Sequence, residues 1–555
     1  MLGSPLHEHH LLRYTIAEVP NSPHLVLLTF YDEFEKRVLD IEYTRVRFED
    51  LIIQLQQGAD LNLEHVYIKN FSLSRYRQIL KLDEAAPVVF NTISAKGCFF
   101  DSDTGIDFNG AVFNGKKTSF ENCVFSNGFV DFSNTVFNSE EISFRKSKFG
   151  SGSTSFRSAK FKEGRLNFNH VNFGTGNTVF VDVHFLDCFV EFKGTYFGDG
   201  NLDFKFSKFN KGSVSFERAS FSKGRKDFKN VEFGRGRVDF RKVQFNDGDV
   251  IFEGAEFNSE KISFRGSVFG CGAKKFDQSK APGSLLLMDQ VELGQGTLSF
   301  YDSEWGTLQL QSIQFNVLAD LRCKHCKSLR LSDSIIRDIM ELPSPDFVGM
   351  EELDLKGIRI LGRLFVTWSK HLKALIYKPG AYSFQIKAEQ FRVLKENFRA
   401  NGQYDDEDAA YLEFRRCIEK QKLAIVSEKG YARVFSKLGY LWRWFIFDQI
   451  GRYATNPMRV LSHALGTVIG FAVVYWFTAH FAPFLGKVGS TLPESLNQSS
   501  HFLNSLYYSA ITFFTVGYGD YFAVGWLKGV AALEGFCGVF LMSYFTVAFV
   551  RKILR

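Results

Sequence analysis

Residues 108–137 read FNGAVFNGKKTSFENCVFSNGFVDFSNTVF, and phenylalanine recurs through this stretch with a fixed period. One series steps by twelve residues from Phe108 to Phe276, and a second steps by twelve from Phe113 to Phe269. The repeating unit is F-x4-F-x6, and it accounts for much of the unusual total of 62 Phe among 555 residues. A short fixed period of this kind is typical of a solenoid, in which each turn stacks on the turn before it.

The bulk of the Phe rings indicates the size of one coil. A coil of about 12 residues would place two Phe in a cross-section only two strands wide, and sheets about 10 Å apart leave too little depth for stacked Phe pairs. We therefore favour a coil of about 24 residues, with four inward Phe, over a coil of about 12. The repeat would then extend roughly 34 Å at a strand spacing of about 4.8 Å.

Small residues accompany the Phe series. The residue two positions before the second Phe of each unit is small or β-branched, as at Ala111 and Cys123. Glycine is frequent four positions before the first Phe, as at Gly128 and Gly152, where we expect it to permit a turn with positive φ. The small-then-large pattern resembles the pentapeptide-repeat family, with spacings of five and seven instead of five and five. The resemblance implies a right-handed β-helix.

Composition excludes several classes of protein. The net charge of +6 is too small for a protein that wraps nucleic acid and has the wrong sign for an acidic DNA mimic, so we expect no nucleic-acid partner. Eight scattered cysteines are too sparse for a disulfide scaffold. The N-terminus lacks the apolar stretch of a cleavable signal peptide, so we predict none. Neither a Ser/His/Asp arrangement nor a nucleotide-binding glycine motif is evident, so we expect no enzyme and no cofactor.

The chain divides into further regions around the repeat. Residues 1–95 read as a mixed N-terminal cap region, and residues 96–280 hold the Phe ladder. Residues 281–384 are rich in Leu and Ile and keep a two-residue alternation, which predicts an irregular C-terminal section of the solenoid. From 385 to 425 the apolar period becomes helical, and Gly402 divides this part into a helical hairpin.

Two charged segments follow. The second helix of the hairpin begins with the acidic run 405–408, which the helix dipole favours, with cation chelation as the alternative. Residues 436–457 mix Trp, Phe and Arg in a stretch too short to cross a bilayer. That mixture is typical of a helix lying in the membrane interface.

Residues 458–555 contain two apolar segments long enough to cross a membrane. The first runs from Val460 to Leu485 and the second from Trp526 to Val550. Arginines gather before the first segment and after the second, so the positive-inside rule places both termini, and the solenoid with them, in the cytoplasm. We predict a multi-pass membrane protein with two spans, of the kind found in a prokaryotic inner membrane.

Between the spans, a shorter apolar stretch ends in TVGYGD at residues 515–520. The order of span, half-helix, TVGYGD and span resembles the two-transmembrane pore of the potassium-channel family, over about residues 460–555. The resemblance implies that protein oxygens replace the water shell of K⁺, and that four chains each supply one loop. Glycine at alternate positions allows the dihedral angles that aim carbonyls at one axis. The implied selectivity filter, with K⁺ at its first four residues, is Thr515, Val516, Gly517, Tyr518 and Gly519.

The resemblance also implies supporting residues around the filter. Asp520 would lie at the outer mouth, and the Tyr518 ring would point outward and brace the filter against Tyr507. Ile511 stands where some relatives carry a buried Glu, so the stability of the filter is not carried over from the family.

Three residues of the second span are candidates for gating. Glu534 must be paired, protonated or in polar surroundings, and Ser509 and Thr512 are its candidate partners. Bracing is favoured over ion conduction for this carboxyl group. Gly535 and Gly538 either form the hinge that the family places near here or allow close helix packing.

We predict a homotetrameric, potassium-selective channel in a lipid bilayer, with the solenoid as a regulatory or interaction domain for an unknown protein or ligand. The alternative is a membrane-anchored solenoid scaffold that binds a protein partner and carries a non-conducting pore module. Since the sequence ends at Arg555, shortly after the second span, we expect signals to reach the pore through the hairpin, the interfacial helix and the first span. In this hypothesis the interfacial helix moves against the base of the second span.

Overall fold

The chain folds into two units, residues 1–379 and residues 380–555. The computed structural model describes residues 13–20, 22–31, 34–344, 349–378, 382–426, 430–491 and 501–554, with the backbone alone described at 426 and 430–433.

The Phe repeat forms a parallel β-solenoid whose coils each contain two of the twelve-residue units. Val112 pairs with Val136, Phe113 pairs with Phe137, and the same step recurs in the other sheets. This register stacks each residue on its equivalent in the next coil, because paired residues of parallel strands lie side by side on the same face. The expected longer coil is confirmed, and the alternative of one unit per coil is wrong.

Each coil carries four strands, as at Ala111–Phe113, Lys117–Ser119, Val124–Phe125 and Phe129–Asp131, and these strands fall into three sets. One set is a 19-stranded sheet that holds two strands of each coil, because long strands such as Lys160–Asn167 run through both positions. Its strands are Leu61–Asn62, Val88–Phe90, Ile93–Ser94, Ala111–Phe113, Lys117–Ser119, Val136–Phe137, Glu141–Ser143, Lys160–Asn167, His184–Glu191, Lys208–Phe209, Val214–Ser215, Glu232–Phe233, Val238–Asp239, Glu256–Phe257, Lys261–Ser263, Lys280–Leu287, Glu304–Gln309, His325–Arg330 and Glu352–Asp354. A second is a 12-stranded sheet, with Gly105–Asp107, Phe129–Asp131, Thr154–Ser155, Thr178–Val179, Leu202–Asp203, Lys226–Asp227, Val250–Ile251, Gly272–Lys275, Gly296–Ser299, Leu318–Asp320, Ile339–Glu341 and Arg363–Phe365. The third is made of shorter sheets joined by single bridges, with Arg13–Glu18, Leu25–Tyr31, Arg37–Val46, Val66–Lys69, Phe99–Asp101, Val124–Phe125, Lys148–Phe149, Gln244–Asn246, Val268–Phe269, Gln314–Phe315, Ile335–Ile336 and Arg359–Ile360.

Phe rings fill the interior of the solenoid in stacked ladders. In one ladder the ring centroids of Phe180 and Phe204 lie 4.6 Å apart, and those of Phe204 and Phe228 lie 5.2 Å apart, with nearly parallel planes. Neighbouring ladders meet edge to face, as Phe204 meets Phe192 at 5.9 Å. Both arrangements suit the quadrupole of the aromatic ring. Every Phe of the two twelve-residue series is buried, so four Phe point inward in each coil.

Glycines before the Phe residues serve close packing more often than a turn. Gly152 and Gly200 lack a positive φ, and a Cβ on Gly200 would lie 2.1 Å from the carbonyl oxygen of Gly176 in the preceding coil. The expectation of a positive-φ turn is therefore wrong at most of these positions, with Gly164 among the exceptions. Positive φ falls instead two residues after the first Phe, as at Asn122.

Other elements flank the repeat. Helices α1 (Phe48–Gln56) and α2 (Leu73–Leu80) belong to the N-terminal region, and α3 (Lys370–Tyr377) follows the last strand. In the part of the solenoid between the end of the Phe repeat and α3, the coil contains fewer residues, as the pairing of Thr297 with Leu318 shows. The shorter coil reflects shorter connections between the strands.

The second unit is mainly helical. Its elements are α4 (Phe384–Ala400), α5 (Tyr404–Val426), α6 (Gly430–Arg443), a π-helical segment (Trp444–Ile450), α7 (Pro457–Phe481), a strand (Val488–Ser490), α8 (His501–Phe513), a strand (Tyr521–Ala523) and α9 (Leu527–Ile553). The two strands pair antiparallel.

Helices α7 and α9 are the two described helices long and apolar enough to cross a membrane, each with a mean hydropathy of 1.7. The side chain of Asn456 caps α7 by accepting from the backbone N–H of Arg459 at 3.0 Å. This helix ends at Phe481, before the predicted end of the first span at Leu485, because Pro483 disfavours helix in the residue before it.

The helix predicted at residues 436–457 begins and ends earlier than expected, with its first residue at Gly430. Helix α6 continues into the π-helical segment, which ends at Ile450 and not at residue 457. Arg452, Tyr453 and Ala454 all have positive φ, so the backbone turns there before α7 begins.

Candidate ion-conduction site

The predicted filter, residues 515–519 and called the filter segment below, is attached to the last turn of α8. The backbone N–H of Val516 donates to the carbonyl oxygen of Ile511 at 2.9 Å, and that of Gly517 donates to the same oxygen at 3.3 Å. These bonds make the position of the filter segment depend on the position of α8.

The backbone of the filter segment alternates in handedness. Thr515, Gly517 and Gly519 have φ of 55°, 54° and 80°, whereas Val516 and Tyr518 do not have positive φ. Alternation between left-handed and right-handed residues turns successive peptide planes, which allows neighbouring backbone groups of one kind to face the same side. From the sequence, we expected Gly517 and Gly519 to allow this backbone. Thr515 also has positive φ, although a residue with a Cβ rarely adopts it.

One chain leaves the filter segment uncovered. Val516 is 50% exposed and Tyr518 is 74% exposed, although both lie between two apolar helices. Exposed apolar and aromatic side chains of this kind are typical of a surface that contacts another protein chain or the membrane.

The outer mouth contains only part of the predicted bracing. The Tyr507 hydroxyl faces the Asp520 carboxylate, and the backbone N–H of Thr491 donates to the carbonyl oxygen of Asp520 at 2.9 Å. Within the described part of one chain, the Tyr507 ring packs against Tyr521 at 5.7 Å and not against Tyr518. Bracing of the filter by Tyr518 remains a prediction.

Helix α8 packs tightly against α9. A Cβ on Gly538 would lie 1.9 Å from the carbonyl oxygen of Phe513, whereas one on Gly535 would meet Thr512 at 3.8 Å. Helix α9 runs without a break through both glycines. Close packing explains Gly538, and a hinge at either glycine remains a prediction.

Glu534 is fully buried in α9 and bonds to two other helices. Its carboxyl group contacts the Ser509 hydroxyl of α8, as the sequence suggested, and the hydroxyl of Tyr475 in α7. Sequence analysis missed Tyr475, although a hydroxyl group in the middle of an apolar span was a usable signal, because buried Tyr hydroxyls need partners.

The acidic start of α5 pairs with the basic end of α9. Arg551 donates to Asp408 at 3.0 Å and its guanidinium lies 4.2 Å from the Tyr411 ring centroid. Lys552 donates to Asp405 at 2.8 Å. These ion pairs explain the acidic run without a chelated cation, and among the described residues no cluster of acidic, His and Cys side chains suits a metal ion.

Further ion pairs join α5 to the segment that follows it. Arg416 makes a two-pronged contact with the buried Asp448 of the π-helical segment, at 2.7 and 2.8 Å. Glu419 accepts from Arg443 at 2.7 Å. Burial would raise the pKa of Glu419, but hydrogen bonds from Lys422 and Arg443 outweigh burial and lower it. This carboxylate is therefore ionised at neutral pH.

The π-helical segment also contacts the base of α9. The Tyr544 hydroxyl donates to the carbonyl oxygen of Phe447 at 3.1 Å and accepts from the backbone N–H of Ala454 at 3.1 Å. The C-terminal part of α9 is thus bonded to the hairpin and to the segment preceding α7.

Comparison with known proteins gives one match. Residues 463–555 match a family described as an ion channel. No curated protein and no solved structure matches the chain. The match covers most of α7 and the whole of α8, the filter segment and α9, and it indicates a transport protein and not an enzyme. The chain is thus a membrane protein in which a parallel β-solenoid precedes an ion channel module of the two-transmembrane type.

Proposed function

We propose that four copies of this chain form a potassium-selective channel. The observation that carries the proposal is the alternating sign of φ along residues 515–519. A backbone of this kind suits a filter in which neighbouring carbonyl groups face one axis, and the segment lies between the two spans in the chain. K⁺ must exchange its water shell for oxygen ligands to pass, and rings of carbonyl oxygens supply them.

Four chains are needed because each chain contributes only one column of oxygens. A single column leaves an ion open to water on its remaining sides. The exposure of Val516 and Tyr518 in one chain supports an assembly in which neighbouring chains cover these side chains.

We place both ends of the module on the cytoplasmic side. Arg452 and Arg459 flank the start of α7, and Arg551 and Lys552 lie in the last turn of α9. Positive residues at these ends favour the cytoplasmic side of the membrane. The solenoid, which precedes α7 in the chain, then lies in the cytoplasm as a regulatory or interaction domain. Its pattern supports a relation to pentapeptide repeats.

The contacts within the second unit suggest how a signal reaches the pore. The expected route led through the interfacial helix and the first span. The ion pairs of Asp405 and Asp408 with Arg551 and Lys552 provide a shorter route, from the hairpin directly to the end of α9. A signal would act by stabilising one arrangement of these pairs over another.

Flux from proteoliposomes tests the proposal. Purified full-length protein should release K⁺ down its gradient and exclude Na⁺ at equal gradient, and its native mass should correspond to four chains. A protein that assembles but passes neither ion would favour the alternative function of a membrane-anchored scaffold.

Removal of residues 1–380 tests the regulatory part. The shortened channel should keep its selectivity and lose its response to any stimulus that modulates the full-length protein. A flexible Gly/Ser insertion near Glu428, a position outside the described residues, should give the same result. Identical responses of shortened and full-length channels would show that the solenoid does not regulate conduction.

A further inference from the structure

Three oxygen-to-oxygen contacts meet around Glu534. The Tyr475 hydroxyl lies 2.6 Å from one carboxyl oxygen, and the Ser509 hydroxyl is within hydrogen-bonding distance of the other. The same Ser509 hydroxyl lies 2.7 Å from the carbonyl oxygen of Val468. All four groups are buried between α7, α8 and α9.

The number of protons that the surrounding groups supply determines the protonation state of the Glu534 carboxyl group. Each of the three contacts requires one proton between its two oxygens. Tyr475 and Ser509 supply one proton each, and the carbonyl oxygen of Val468 can only accept. The third proton must belong to Glu534, which then donates to Ser509 while Ser509 donates to Val468.

The surroundings agree with a neutral group. Tyr475 belongs to an apolar cluster with Leu527 and Val530, which lie on the same helix as Glu534. Within the described ranges no cationic side chain forms an ion pair with Glu534. An ionised carboxylate without a partner is costly in such surroundings, whereas a neutral acid with both oxygens hydrogen-bonded is not.

We propose that Glu534 is a neutral carboxylic acid that acts as a positioning residue for the filter segment. It bonds α9 to α8 through Ser509 and to α7 through Tyr475. Helix α8 in turn holds the filter segment through the Ile511 carbonyl oxygen. The effect on selectivity rests on the proposed function, whereas the protonation state does not.

Infrared spectroscopy tests the protonation state without any ion flux. The difference spectrum of wild type minus Glu534→Gln, recorded on full-length protein in nanodiscs at neutral pH, should contain the C=O band of a protonated carboxyl group. A carboxylate band in its place would overturn the assignment.

Flux measurements test the positioning role. Glu534→Gln should retain K⁺ over Na⁺ selectivity, because its amide donates to Ser509 and accepts from Tyr475 as the acid does. Glu534→Ala should lower the flux ratio by about tenfold or more, since it removes the bond to Ser509 and leaves the buried Tyr475 hydroxyl without its carboxyl partner. If the Gln and Ala variants lose selectivity equally, Glu534 does not act as a neutral hydrogen-bonding group.

Two further variants guard against misfolding. Tyr475→Phe removes one donor without opening a large cavity and should shift selectivity in the same direction as Glu534→Ala. Ser543→Ala is the matched control, because the Ser543 hydroxyl donates to the carbonyl oxygen of Val539 in its own helix, at 2.7 Å. Equal effects of Tyr475→Phe and Ser543→Ala would refute the positioning role. A wild type without K⁺ flux would refute the proposed channel, and the infrared result would still decide the state of Glu534.

Discussion

Replacing Phe204 with alanine should open the solenoid locally. The Phe204 ring is completely buried, stacked between Phe180 and Phe228 and in edge contact with Phe192 and Phe216. Its removal deletes two stacking contacts and two edge contacts at once. The loss should be felt most strongly in the coils that contain these rings, because each coil of a solenoid contacts only its neighbours.

The expected cost is about 3–5 kcal/mol, the range for a buried Phe→Ala substitution. The backbone around the cavity cannot collapse easily, because backbone hydrogen bonds join the coils. The N–H of Phe204 donates to the carbonyl oxygen of Asp227 at 2.8 Å, and the N–H of Phe180 donates to that of Asp203 at 2.7 Å. A loss of about 3 kcal/mol corresponds to opening that is more than about a hundredfold more frequent.

Amide hydrogen exchange of the full-length protein measures this opening coil by coil. Exchange should accelerate in the coils around residue 204 and much less near either end of the solenoid. Phe206→Ala is the control, because the Phe206 ring is 50% exposed and its loss should change stability by less than about 0.5 kcal/mol. Equal exchange in the two variants would refute the role assigned to the Phe ladders.

Three further predictions concern other parts of the chain. Gly517→Ala should abolish or reduce K⁺ selectivity without preventing assembly, because φ at this residue is 54° and a Cβ strains that backbone. Normal selectivity in this variant would show that residues 515–519 are not the filter. Asp408→Asn should change the open probability in single-channel recordings more than Asp405→Asn, because the Asp408 side chain is 10% exposed and that of Asp405 is 90% exposed. Equal effects of the two variants would contradict coupling through the Asp408–Arg551 pair. Burial lowers the pKa of Lys226 from 10.5 to about 8, so the unfolded chain binds more protons than the folded chain between these values, and solenoid stability should rise with pH there. Thermal unfolding should show a smaller slope with pH in Lys226→Met than in wild type, and an unchanged slope would exclude this lysine as the cause.

The coil length could be predicted from the sequence because it follows from side-chain volume. A ring as large as Phe needs depth, and the twelve-residue period allowed only coils of one unit or of two. The meaning of the glycines could not be predicted in the same way. From the sequence alone, Gly200 is equally consistent with a turn and with the close approach of two coils. The carbonyl oxygen of Gly176, which a Cβ on Gly200 would strike, belongs to another coil.

The candidate site divides along similar lines. TVGYGD indicated the filter segment from a local pattern, because the requirement for glycine at alternate residues lies in the backbone itself. The exposure of Val516 and Tyr518, which points to assembly, required the packed structure. The positive φ of Thr515 also required the structure, because threonine has no preference for such a backbone.

By itself, the sequence determined the features that repeat or that depend on neighbouring residues, which are the Phe solenoid and the two apolar spans. It also predicted the filter segment between them. Only the tertiary structure decided which distant groups meet. Asp408 and Arg551 are 143 residues apart, and Tyr475 and Glu534 are 59 apart, so no local period connects either pair. Periodicity reports which face of an element is apolar, whereas hydrogen bonds between helices depend on distances that exist only after the helices have packed.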